Sequence, residues 1–216
     1  AFVSIEVIPY KYFPKQKKLE VHTSIEIQIN EVGDKLDGVL AQPKRSHIFD
    51  NLYENLIVNF EKSSFIEDYQ ASSILYIAGD DWLENNYVQD LLEWRHKQGY
   101  IVTAVSTSEI GASSGNENTI KSFIENAYES WENPPEIVGL IGDTNVIDCF
   151  YQDWGTGGWN YYNGSTDQDY SQLDGTDLIP EVLIGRISGQ GQSVMENVIN
   201  KTIQYEKALY VDDDWF

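Results

Sequence analysis

The chain has 216 residues, 41% of them hydrophobic, enough for one medium domain with a real core or for a domain plus part of another. With 35 acids against 14 Lys and Arg the formal net charge is −21, which excludes nucleic acid and anionic membranes as partners because such a surface repels phosphate, and makes cations the natural counterparts. The single cysteine, Cys149, excludes an internal disulfide framework and a cysteine-rich zinc site, and no apolar run reaches membrane-spanning length.

The opening AFVSIEVIPY lacks the basic and apolar regions of a signal peptide and reads as a mature or trimmed end. Over residues 1–31, VSIEVIPY and LEVHTSIEIQI alternate apolar and polar residues with period two, and KYFPKQKK links them as a basic turn. This predicts a β-hairpin in need of partner strands. After the Gly, Asp and Pro interruption GDKLDGVLAQP, the segment SHIFDNLYENLIVNF has Ile48, Phe49, Leu52, Leu56, Ile57 and Phe60 near helical spacing. The polar EKSSFIEDYQASS reads as a linker.

From residue 73 the pattern changes to short apolar strands alternating with amphipathic helices. SILYIAGDD, IVTAVST, PPEIVGLIGD and EVLIGRIS are the predicted strands. ENNYVQDLLEWRHKQGY, GNENTIKSFIENAYESW and QSVMENVINKTIQYEKALY are the predicted helices. Continuous apolar strands separated by helices predict an α/β fold, a parallel sheet with helices on both faces. Ligands in such sheets collect at the carboxyl ends of the strands, which here carry Asp80, Asp81 and Asp143. No GxGxxG or GxxxxGKS turn is present, and acids at those turns repel phosphate.

The long loop from Asp143 to Glu181 holds the visible chemistry. It carries eight acids, Asp143, Asp148, Asp153, Asp167, Asp169, Asp174, Asp177 and Glu181, and no Lys, Arg or His. Its aromatics Trp154, Trp159, Tyr161 and Tyr162 favour an ordered, packed loop. Oxygen ligands with glycine turns suit calcium, although Gln172 breaks the EF-hand pattern that Asp167 and Asp169 begin. Composition alone leaves calcium and a solvated acidic loop both open.

The series ILYIAGDD, WRHKQGYIVTAVSTSEIG, TIKSFIENAYESW, EIVGLIGD, YSQLDGTDLIPEVLIGRIS and NKTIQYEKAL resembles, in order, the gingipain-type cysteine peptidases, clan mates of the caspases. VIPYKYFPKQKKLEVHTSIEIQI with SHIFDNLYENLIVNF resembles the end of that family's β-rich pro-domain. The resemblance implies three parts: residues 1–62 as the C-terminal part of the pro-domain-like region, 63–72 as a linker, and 73–216 as a gingipain-like (caspase-like) α/β subdomain. It also implies a structural calcium in the loop before the GR strand. Asp177 and Glu181 would give carboxylates and Ile179 and Asp174 carbonyls, against the simpler alternative that Arg186 pairs with one of these acids.

In that family the nucleophilic cysteine, its histidine and the orienting carboxylate belong to a second subdomain, matching sequence beyond residue 216. No catalytic residue is therefore assigned here. Cys149 reads as a structural cysteine, and nothing in the sequence brings His22, His47 or His96 to it. Two readings follow. In one, the chain is the N-terminal part of a secreted or cell-surface bacterial cysteine endopeptidase, inactive alone. Its partners would be a downstream catalytic subdomain and, through that subdomain, protein substrates, with no membrane insertion. In the other it is a calcium-dependent binding or surface-structural module whose Trp and Tyr residues contact a polymer such as glycan.

Overall fold

The structure is a computed structural model that describes residues 5–28, 45–112, 116–153, 163–175, 179–189 and 191–207. By contacts the chain divides between Pro43 and Lys44 into two compact units.

In the first unit, strands β1 (Tyr10–Phe13) and β2 (Lys18–Val21) pair antiparallel across a 3-10 turn at Pro14–Gln16. The ladder therefore lies partly inside the segment read as the link, and it is shorter than the alternating sequence suggests. Pro9 has no N–H to donate, so regular pairing stops at Tyr10, with one last bond from His22 N to Pro9 O at 2.7 Å. The interruption at 33–43 lies outside the described residues.

The second unit begins with helix α1 (His47–Leu56), where Ser46 caps the first turn by accepting from Phe49 N at 3.2 Å. The segment after α1, expected to be a linker, is tied down by Arg45. Its backbone bridges Asp68 O and Gln70 N, and its guanidinium reaches Asp50 and Glu61 O, with the rings of Phe60 and Tyr69 beside it. Asp50, itself buried, also accepts from Tyr69 Oη at 2.7 Å. One cation and its carboxylate thus gather both ends of the 45–70 segment, and α1 belongs to the second unit.

The strands that follow are β3 (Ser73–Ala78), β4 (Ile101–Ser106), β5 (Ile137–Ile141), a side pair β6 (Phe150–Asp153) and β7 (Asn163–Thr166), and β8 (Leu183–Ile187). The helices are the short α2 (Asp80–Leu83), α3 (Asn86–Lys97), α4 (Glu117–Ser130) and α5 (Gln192–Glu206). Strands β4-β3-β5-β8 form one sheet, parallel throughout. Every residue of β3 is buried because both faces are covered. Ile74, Tyr76 and Ala78 pack with Val88 and Leu91 of α3 and Met195 and Ile199 of α5. Leu75 and Ile77 pack with Ile120, Ile124 and Ala127 of α4. That is the expected parallel sheet with helices on both faces. Gly139 is required by the packing: a Cβ there would collide with the Tyr76 ring from the neighbouring strand.

Candidate metal centre in the acidic loop

The acids expected at the carboxyl edge of the sheet are there, and they hold turns. Asp80 follows β3 and accepts from Ser108 N at 2.9 Å and weakly from Thr107 Oγ1 at 3.4 Å, fastening the end of β4. The Ser108 backbone bond, more than any other contact, keeps its carboxyl below the usual range. Asp143 follows β5 and accepts from Thr144 N at 2.8 Å.

Beyond Asp143 the long loop is partly regular. β6 and β7 pair from Phe150↔Thr166 to Asp153↔Asn163, and a 3-10 turn at Gln168–Ser171 follows. That turn drops Tyr170 fully into the core, edge-on to Phe150, with its hydroxyl donating to Asp148 O at 2.6 Å. Trp154, Trp159, Tyr161 and Tyr162 lie outside the described residues.

Arg186 of β8 ties the loop to the sheet. Its Nε and Nη2 hold Asp167 bidentately at 2.8 and 2.7 Å, while Nη1 donates to Gly142 O and Ile147 O and Nη2 also to Asp148 O. All five guanidinium N–H groups have acceptors, four of the five bonds being 3.0 Å or shorter. Arg186 is thus a structural anchor spent on Asp167, and neither Asp174 nor Glu181 is its partner. Sequence reading missed Asp167 in this role; the only available signal was that the loop's neutralising cation had to come from outside it.

The residues expected to hold calcium are Asp174, Asp177, Ile179 and Glu181. Asp177 lies outside the described residues. Asp174 and Glu181 meet at the entry to β8. Glu181 Oε2 accepts from Leu173 N at 2.6 Å and Asp174 N at 3.2 Å, and Glu181 N donates to Ser171 O at 2.9 Å. Gly175, beside this contact, takes the left-handed φ of 75° that favours glycine. Asp174 is exposed and Ile179 half-buried. The donors are all oxygen, which suits a hard cation; among the described residues no three acids, histidines or cysteines form a metal-sized cluster.

Two tyrosines that the sequence gave no reason to connect with this turn respond to it. Burial first, then the Glu181 and Asp174 carboxylates, pushes the Tyr128 phenol of α4 up to about 12. Burial and the charges of Glu181 and Asp50 raise that of Tyr53 on α1. Among the described residues no Lys, Arg or His forms an ion pair with Asp174 or Glu181, and both carboxylates act on Tyr128 of α4 and Glu181 on Tyr53 of α1.

Cys149 is buried just before β6, His47 stacks on Tyr69, and His96 is exposed in the last turn of α3. Among the described residues no hydrogen bond joins the thiol to a histidine.

The parallel sheet, with helices on both faces, gives an α/β fold consistent with the caspase-like class. The chain belongs to peptidase family C25, whose sequence profile matches residues 67–215. It is 26% identical to Gingipain R2 of Porphyromonas gingivalis over 215 residues, 98% of this chain and 28% of that protein. It is 27% identical to Lys-gingipain of the same species over 220 aligned positions, gaps included, covering 98% of this chain and 12% of the relative. Among solved structures, it resembles the Arg specific cysteine proteinase gingipain R with a TM-score of 0.54 and 25% identity, over 66% of this chain and 30% of that one. It also resembles the complex of P. gingivalis RgpB pro- and mature domains, with a TM-score of 0.53 and 27% identity over 62% of this chain and 29% of that chain. The chain thus spans under a third of the length of these relatives. No helix among the described residues is long and apolar enough to cross a membrane.

Proposed function

We propose that the chain is the N-terminal part of a secreted bacterial cysteine endopeptidase of the gingipain type. It would be the structural half that supports a catalytic Cys/His subdomain beyond residue 216, and protein substrates would be cut there. The carrying observation is the family match over 67–215 in a chain that covers 28% of Gingipain R2. The burial of Cys149 away from histidine partners supports the same reading. Residues 1–62 are read as the end of the pro-domain and 63–72 as its junction. A cut in that junction would leave α1 docked by the Arg45 contacts and by Tyr69, which stacks on His47 and donates to Asp50. The 216-residue chain should be inert on casein and on short chromogenic peptides under reducing conditions. The same chain extended by the downstream sequence of its gene should cleave them, with activity unchanged by Cys149→Ala. Turnover by the 216-residue chain that disappears in Cys149→Ala would overturn this.

Calcium is the proposed structural cofactor, held by the carboxylates of Asp177 and Glu181 and the carbonyls of Asp174 and Ile179. The carboxylates of Glu181 and Asp174 beside Tyr128, without an ion-pair partner among the described residues, support a cation here. Binding to the folded state alone adds RT ln(1 + [L]/Kd), about 2.7 kcal/mol at a hundredfold excess over Kd. For a chain of this size that raises Tm by roughly 5 to 11 °C. Magnesium should do little, since it sheds water reluctantly and demands a tight octahedron. Equal calcium shifts in wild type, Asp177→Ala and Glu181→Ala would place the ion elsewhere.

A further inference from the structure

A groove of about 690 Å³ opens at the amino-terminal edge of the sheet, opposite the acids at the carboxyl edge. One wall is His47 with Ile66 and residues 69–72, and the other is the turn from α3 into β4, residues 98–100. In a chain of net charge −21, none of its nine lining residues is a carboxylate, lysine or arginine. Neither cations nor anions are selected by such walls. Three rings line it, His47, Tyr69 and Tyr100, and they are fixed differently. Tyr69 lies flat on His47, with centroids 3.8 Å apart and planes 5° apart, and its hydroxyl is spent on Asp50 and Ser63 O. His47 is exposed, so Tyr69 backs one ring face and leaves the other open. Tyr100 is half-buried against the α3 and α5 core, which holds its ring in place.

Polar groups are available between the rings. Gln98 is used up, accepting from Arg95 and donating to Glu206. Gln70 donates to Pro134 O at 3.0 Å, which orients the amide while its Oε1 keeps no partner among the described residues. The hydroxyls of Tyr100 and Ser72 likewise make no hydrogen bond among the described residues. Pre-positioned aromatic faces with a few neutral donors and acceptors match a ligand that has apolar faces edged by hydroxyls. The volume falls in the usual range for ligand sites.

We propose that this groove binds a neutral saccharide chain, stacked on His47 and Tyr100 and hydrogen-bonded by Tyr100, Ser72 and Gln70. The proposal does not depend on the peptidase reading or on calcium. The test is saturation-transfer NMR of the full 216-residue chain, in chelator, with cellotriose, chitotriose and maltotriose. At least one should receive saturation at its ring protons, and His47→Ala should weaken it by roughly tenfold, the order expected for one lost stacking partner. Tyr100→Ala should do the same; because that ring also packs on the core, His47→Ala, on an exposed helix start, decides the matter if Tyr100→Ala unfolds. Absence of transfer to all three sugars would overturn the proposal. So would binding untouched by His47→Ala, or full displacement of the sugar by an uncharged Gly-Ser peptide at equal concentration.

Discussion

The four-stranded sheet and the acidic loop are neighbours built on opposite principles. The sheet is held by many overlapping apolar contacts, Leu75, Ile77, Ile120, Ile124 and Leu140 on one face and Ile74, Leu91, Met195 and Ile199 on the other. Each residue there shares its role with several others. The described part of the loop between Gly142 and Glu181 converges on Arg186, which gathers Gly142, Ile147, Asp148 and Asp167 at one point. Redundant burial tolerates change, whereas a single polar node concentrates the cost at one residue.

The largest expected effect tests that contrast. Arg186→Met keeps the apolar stem but takes the guanidinium from the Asp167 carboxylate and from the Gly142 and Ile147 carbonyls, while Asp148 O keeps the Tyr170 hydroxyl, and should cost about 3–5 kcal/mol in a denaturant titration. Asp167→Asn, which keeps a hydrogen-bond acceptor, should cost distinctly less. An Arg186→Met variant within about 1 kcal/mol of wild type, no more than an average point mutation costs, would show that the loop has other anchors. On the sheet side, Gly139→Ala places a methyl group against the Tyr76 ring and should cost about 1–3 kcal/mol, the usual range for overpacking. Adding Tyr76→Leu should recover part of that loss, because the obstruction is that ring and not the strand geometry.

The same contrast decides what the sequence made legible. SILYIA and EIVGLI read as buried strands because a strand covered on both faces leaves no polar position, and α3 and α4 read as helices because one apolar stripe meets the sheet. Those are local signals. The hairpin β1–β2 was placed too broadly because alternation continues past Pro9, where pairing ends for want of an N–H. Segment 63–72 looked like a linker because its polarity does not reveal that Arg45 and Asp50, far away in sequence, hold it. Of the site, the crowding of acids before the GR strand was legible, as was the need for a cation from elsewhere. Its assignment to Asp167 was not, since a bidentate pair nineteen residues apart leaves no periodic trace. The closeness of Tyr128 and Tyr53 to Glu181 was hidden for the same reason.

The smallest effect concerns Tyr128 and resolves what the loop does to its surroundings. Its phenol titrates at about 12 in the folded chain against an ordinary value of 10.0, with burial as the main cause and the Glu181 and Asp174 carboxylates adding to it. A raised value in the folded state means that the folded chain keeps its proton where the unfolded chain has lost it. The stability this contributes is complete below pH 10.0, and it declines as pH rises from there through about 12. Other buried tyrosines, Tyr170 and Tyr76 among them, shift the same way, so the readout is the difference between wild type and Tyr128→Phe. The Phe variant should lose stability less steeply across that window and should match wild type in slope below it. Glu181→Gln, followed by the absorbance of the phenolate, separates the two causes. Because burial leads, most of the shift should survive the loss of the carboxylate. A Tyr128 value that falls back to 10.0 in Glu181→Gln would mean that the loop's charge, and not the α4 packing, governs this face.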